Sequence, residues 1–75
     1  MNKDRRKIVK RGYDLISEGK DLIEAALCEE QQCYDNLAES FQCGQQGDDL
    51  QDNIESLQEC VDNAEDALNA IETLL

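Results

Sequence analysis

From Leu50 onward the apolar residues are Leu50, Ile54, Leu57, Val61, Ala64, Leu68, Ile71 and Leu75, a spacing of 4-3-4-3-4-3-4. A heptad seam of this kind keeps one helical face apolar over nearly four repeats, and such a face needs another helix packed along it. Cys60, Ala67 and Leu74 flank the seam and widen the stripe toward its C-terminal end. The chain has no proline and only 4% aromatic residues, and its wealth of Leu, Ala, Glu and Gln favours helix over strand. At 75 residues it makes at most one domain. A monomer of that size buries only roughly 60% of its unfolded surface.

The first half is looser. Ile8, Gly12, Leu15, Gly19, Leu22 and Ala26 keep the 4-3 rhythm, with Val9, Ile16, Ile23 and Leu27 alongside. The pattern then slips to Glu30, Cys33 or Tyr34, Leu37 and Phe41, a four-residue step that locally relaxes supercoiling. The combined stripe spans roughly 140°, wider than a two-stranded seam needs. It therefore predicts hairpins that self-associate into a bundle of four or more helices. Gly44-Gln45-Gln46-Gly47 supplies the reversal, because glycine tolerates the left-handed conformation that ends helices. Asp48 and Asp49 follow where carboxylates favour a helix N-terminus.

The fold expected is all-α: one antiparallel, coiled-coil-like helical hairpin over residues 1–75. Helix 1 runs from about 3 to 42, the turn from about 43 to 47, and helix 2 from about 48 to 75. At 1.5 Å per residue the helices are near 60 and 42 Å long, so roughly a dozen N-terminal residues overhang. A reversal centred at about 45.5 sets position i beside roughly 91 − i and brings Cys60 close to Cys33.

Charge is sharply segregated. All seven cations (Lys3, Arg5, Arg6, Lys7, Lys10, Arg11 and Lys20) lie in residues 1–20, which carry +4 after Asp4, Asp14 and Glu18 are counted. Residues 21–75 hold fifteen carboxylates and no cation, giving −11 for the whole chain. Blocks of one sign ordinarily mark solvated faces or tails. A helix body without i,i+4 Lys or Arg forgoes the usual ion-pair support, however, and the nearest compensating cations belong to the N-terminus of another copy. On a helix Lys3, Arg6, Lys10 and Tyr13 share a face away from Ile8, Gly12 and Leu15. Cations beside an aromatic ring suit a phosphate and a base, which makes these four residues the first candidate for ligand binding. The competing reading is a solvated, partly frayed helix end. The acidic body disfavours duplex nucleic acid.

No stretch approaches the ~18 uncharged apolar residues of a membrane span. Asp14, Glu18, Lys20, Asp21 and Glu24 interrupt any apolar core of a signal segment. A cytoplasmic chain without a membrane partner is expected. Enzymatic chemistry is not: there is no histidine to act as a general base. Cys28, Cys33, Cys43 and Cys60 lie in an acidic region that disfavours thiolates. Their spacings of 5, 10 and 17 differ from the paired ligands of zinc sites, so neither metal nor cofactor is expected. For Cys33 and Cys60 three readings stand: reduced thiols in contact, a disulfide, or a zinc pair.

The densest unusual chemistry lies between the two periodic segments. Glu29-Glu30-Gln31, Tyr34-Asp35-Asn36-Leu37, Glu39-Ser40 and Gly47 fit the pattern EEQ-x-x-(Y/F)-DNLPESLQ-x-S-x-x-G followed by an acidic heptad helix. This resembles small helical-hairpin proteins of phages, prophages and gut bacteria. The resemblance spans most of the chain and implies the hairpin, an origin in a mobile element and a place in a host cytosol. It transfers no activity. Ala38 and Phe41 stand where the pattern has Pro and Leu. A proline at 38 would stop helix 1 and open a short helical turn, so helix 1 is predicted to break or bend between Asp35 and Ala38, with a bend or short turn over about 35–42. Asp35, Asn36 and Ser40 read as capping and turn residues, and Leu37 and Phe41 as the apolar plug beneath the bend. The other reading makes Tyr34, Asp35 and Asn36 a second candidate for binding. The function expected is a non-enzymatic, homo-oligomeric binding or inhibitor module. It would sequester a small anionic, nucleotide-like host ligand or block a host protein. The alternative is an acidic nucleic-acid mimic or a structural scaffold hairpin.

Overall fold

The computed structural model describes residues 1–75 as an antiparallel all-α hairpin. Its helices are α1 (Lys3–Asp35), the single-turn α2 (Glu39–Gln42) and α3 (Gln45–Glu72). The molecule is a rod of 58 × 14 × 13 Å. Its radius of gyration is 17.1 Å, against about 11 Å for a compact domain of this length.

Each end of α1 is tied by a side chain. Asn2 is extended, and its Oδ1 accepts the Arg5 N–H at 2.8 Å, satisfying one of the orphan donors of the first turn. At the other end the Tyr34 carbonyl accepts the Leu37 N–H at 3.1 Å and the Gln42 Nε2 at 3.0 Å. Gln42 of α2 thus caps α1. The Asn36 N–H closes on the Gln32 carbonyl at 3.0 Å. Asn36 is the C-cap of α1, as expected, but through its backbone; its side chain and that of Ser40 donate and accept nothing. Asp35 takes the Gln31 Nε2 at 3.0 Å. The Asn36 and Leu37 N–H groups and the Gln42 side chain close the end of α1 on the Gln32 and Tyr34 carbonyls.

Helix 1 does break where expected, and its continuous part ends at Asp35 rather than near 42. Ala38 is extended at φ −60° and ψ 146°. Its carbonyl receives the N–H groups of Phe41 and Gln42 at 2.8 and 3.1 Å and opens α2.

The reversal works differently from the expectation. No residue has positive φ, so the left-handed freedom of glycine is unused. Gly44 is extended and leads into α3, its carbonyl accepting the Asp48 N–H at 3.0 Å. Gly47 is buried in the first turn of α3, and a Cβ there would lie 2.6 Å from the Gln42 carbonyl carbon and 2.7 Å from its Cα. Glycine at 47 permits close approach of backbone to backbone.

With α2 forming the bend, α3 begins at Gln45, three residues earlier than expected, and ends at Glu72. The register moves accordingly. Tyr13 meets Glu72, Tyr34 meets Gln51, and Glu30 meets Asn53, so facing positions total 83 to 85 instead of about 91. Cys60 therefore faces the region of Ala25, and its expected approach to Cys33 does not occur. All four cysteines are free and exposed. Leu75 comes alongside Lys3, Arg6, Lys7 and Lys10, so the overhang of α1 is shorter than a dozen residues, about two turns.

The seam of α3 packs as its spacing requires. Val61 and Leu68 are 5% and 7% exposed, and Leu50, Ile54, Leu57, Ala64 and Ile71 are partly buried. From α1 the partners are Val9, Ile16, Ile23 and Leu27, all partly buried. Ile8, Leu15 and Leu22 point outward at 72%, 50% and 68% exposure. The Ile8-to-Ala26 line is thus not the intrachain seam: the stripe is broader than one helix covers, and α3 takes its Val9 side. No helix is long and apolar enough to cross a membrane.

Candidate functional site

Because α1 and α3 are antiparallel, the basic first turns of α1 lie beside the last residues of the chain. Lys3, Arg6, Lys7 and Lys10 surround a shallow depression of about 400 Å³ closed on one side by Leu75. The i, i+3 and i+4 spacing of a helix gathers the four cations on one surface. Within the hairpin the only ion pairs are Lys10–Asp14 at 3.0 Å and Lys20–Glu24 at 3.1 Å. Lys3, Arg6 and Lys7 therefore keep their charges unpaired in a chain with 18 carboxylates.

Tyr13 is committed elsewhere. Its hydroxyl donates to Glu72 Oε1 at 2.7 Å, bridging α1 to the end of α3. The hydrogen bond to this carboxylate, with some loss of solvent and the charges of Glu72 and Asp14, raises the Tyr13 pKa above its ordinary value. The Lys10 Nζ stands 4.9 Å from the Tyr13 ring centroid, a cation–π distance. Lys10 is thus held between the ring and Asp14. Of the four residues read as one face, Lys3, Arg6 and Lys10 converge on the depression, while Tyr13 lies outside its lining, bonded to Glu72 and beneath Lys10. Lys20 sits outside this group, its pKa raised by the hydrogen bond to Glu24 and by that residue's charge.

Two lining residues escaped the sequence reading. Lys7 was within reach of it, being four residues after Lys3 and three before Lys10. Leu75 was not, because its place depends on a register that the turn decides.

The second candidate does not hold together as one site. A larger hollow of about 540 Å³ at the turn is lined by Cys33, Asn36, Leu37, Asp49 and Asn53 among others. It contains no cation. Tyr34 belongs to a separate hollow of about 270 Å³ with Gln51 and Glu55, where its hydroxyl accepts the Gln51 Nε2 at 2.9 Å. Asp35 lines neither hollow. The turn's polar residues hold helices together, and the basic end offers unspent charge. Comparison with protein-family models, curated proteins and solved structures finds no match to this chain.

Proposed function

We propose that this chain is a non-enzymatic, homo-oligomeric binding module whose basic end captures a small anionic ligand of nucleotide type. The observation that carries the reading is the convergence of Lys3, Arg6 and Lys7, unpaired, with Lys10 on one depression beside an apolar Leu75 wall. Phosphate oxygens would take the ammonium and guanidinium donors, with Arg6 able to bind two oxygens at once. A base would find the apolar side chain of Leu75. Self-association follows from the small core: with two apolar side chains buried, the lone hairpin has little to set against chain entropy. The resemblance to phage-type proteins fits a module that removes a host signal or occupies a host protein.

A second reading has its own support. Asp52, Glu55, Glu59 and Asp62 are all exposed on α3, with no cation near them in sequence, and this surface favours a mimic of nucleic acid that engages a basic host protein. Charge reversal separates the two. Under the first reading Arg6→Glu with Lys10→Glu abolishes calorimetric binding of ATP while the sedimenting mass is unchanged. Under the second that variant behaves as the parent, and neutralising the four α3 carboxylates removes partner binding. Retention of ATP binding in Arg6→Glu/Lys10→Glu, or its absence in the parent, sinks the first reading.

A further inference from the structure

Helix α1 carries a second heptad seam whose large side chains the hairpin leaves in solvent and whose small ones, Gly12, Gly19 and Ala26, it covers in part. Ile8, Leu15 and Leu22, 72%, 50% and 68% exposed, recur every seven residues and so share a face. Gly12, Gly19 and Ala26 run beside them, about 40° around the helix. Glycine weakens a helix interior relative to alanine. Yet a Cβ on Gly12 or Gly19 would meet nothing within 4 Å, so no contact inside the hairpin calls for either residue.

We infer that this face is the seat of a second copy's α1, packed antiparallel about a two-fold axis that passes between Leu15 and Gly19. The inference rests on the homo-oligomeric part of the reading above and adds the surface and its orientation. One register satisfies every position of the seam. Ile8 falls opposite Ala26 of the second copy, Leu15 opposite Gly19, and Leu22 opposite Gly12, large side chain over small throughout. The same register brings Arg5, where the seam begins, opposite Glu29, where it ends. Arg5 and Arg11 flank the seam at that end and lie along residues 23–31, whose Glu29 and Glu30 flank it in turn and which hold no cation; Lys3, Arg6, Lys7 and Lys10 point away from it. A parallel pairing would oppose Arg5 to Arg5, Ile8 to Ile8 and glycine to glycine. Area agrees with a second copy as occupant: the hairpin exposes 5529 Å², whereas a compact protein of 8.5 kDa exposes about 4,700 Å². The excess is close to the ~800 Å² that one partner gives to a standard interface.

Sedimentation equilibrium of the full chain tests this. Leu15→Lys with Leu22→Lys should fall to monomer mass, with weaker helical circular dichroism than the parent because the lone hairpin buries only a small core. Arg5→Glu should weaken self-association by roughly tenfold, because symmetry removes two pairs. Adding Glu29→Arg should restore it to within about twofold. Arg5→Glu/Glu29→Arg binding no better than Arg5→Glu alone overturns the antiparallel register. A helical Leu15→Lys/Leu22→Lys chain of unchanged mass overturns this interface while leaving oligomerisation standing. A parent chain that is monomeric at high micromolar concentration overturns both. ATP binding lost through Arg6→Glu/Lys10→Glu is read separately, since neither residue lies in the seam.

Discussion

A methyl group on residue 47 would lie within 2.7 Å of three backbone atoms of Gln42. Backbone cannot swing aside as a flexible side-chain tip does, so Gly47→Ala should destabilise the hairpin by roughly 1–3 kcal/mol, measured by chemical denaturation. Gly44→Ala meets only ordinary contacts, at 3.6 and 3.8 Å, and should cost much less. Ala38 presents the opposite case. Its φ of −60° already suits proline, and its N–H enters no backbone hydrogen bond. Ala38→Pro should be neutral or stabilise by about 0.4–1 kcal/mol through the unfolded chain; a large fall in melting temperature would contradict the break in helix 1. Asn36→Ala should change stability by under about 0.5 kcal/mol, since that side chain bonds to nothing. Reading the turn from residue types found the break and the need for glycine. It missed the reasons, because a close approach and a left-handed backbone leave the same letter in the sequence. Asn36 shows the same limit: it is the C-cap of α1 by its backbone, while the side-chain bond comes from Gln42, six positions on.

At the scale of the helices, α3 was legible because one partner covers its narrow, strict seam. α1 was not, because its apolar stripe serves two lines and only packing says which line meets α3. The register escaped for a similar reason, since the short α2 takes up residues that periodicity assigned to helix 1. The open end of the hairpin is pinned by Tyr13 donating to Glu72. The Tyr13 pKa is raised in the folded state chiefly by that bond. Its stabilising contribution is therefore fully present below the unfolded tyrosine pKa of about 10 and lost as pH rises through the folded value. Thermal melts between neutral and strongly alkaline pH should show this loss in the parent chain, and Tyr13→Phe should lack that component while keeping the fold. An identical alkaline profile in both would mean that the bond contributes nothing.

For the whole molecule, the rod shape, the two-residue apolar core and the separation of charge into a basic end and an acidic body bear on one question: what the surface is for. If basic and acidic segments meet between copies, raising salt from low ionic strength to about 0.5 M should lower the mean mass in light scattering, because exposed charge pairs are screened. A mass independent of salt would leave assembly to apolar contacts alone. The basic cluster was legible in the sequence as a block of cations, but its wall was not, since Leu75 reaches it only through the antiparallel register. The site itself is tested most directly by nuclear magnetic resonance of the labelled chain titrated with ATP. Saturable amide shifts confined to Lys3–Tyr13 and the adjoining Leu74 and Leu75 are the expected result. No shifts, or shifts centred on Tyr34–Asn36 or spread along α3, would contradict a binding site at the basic end.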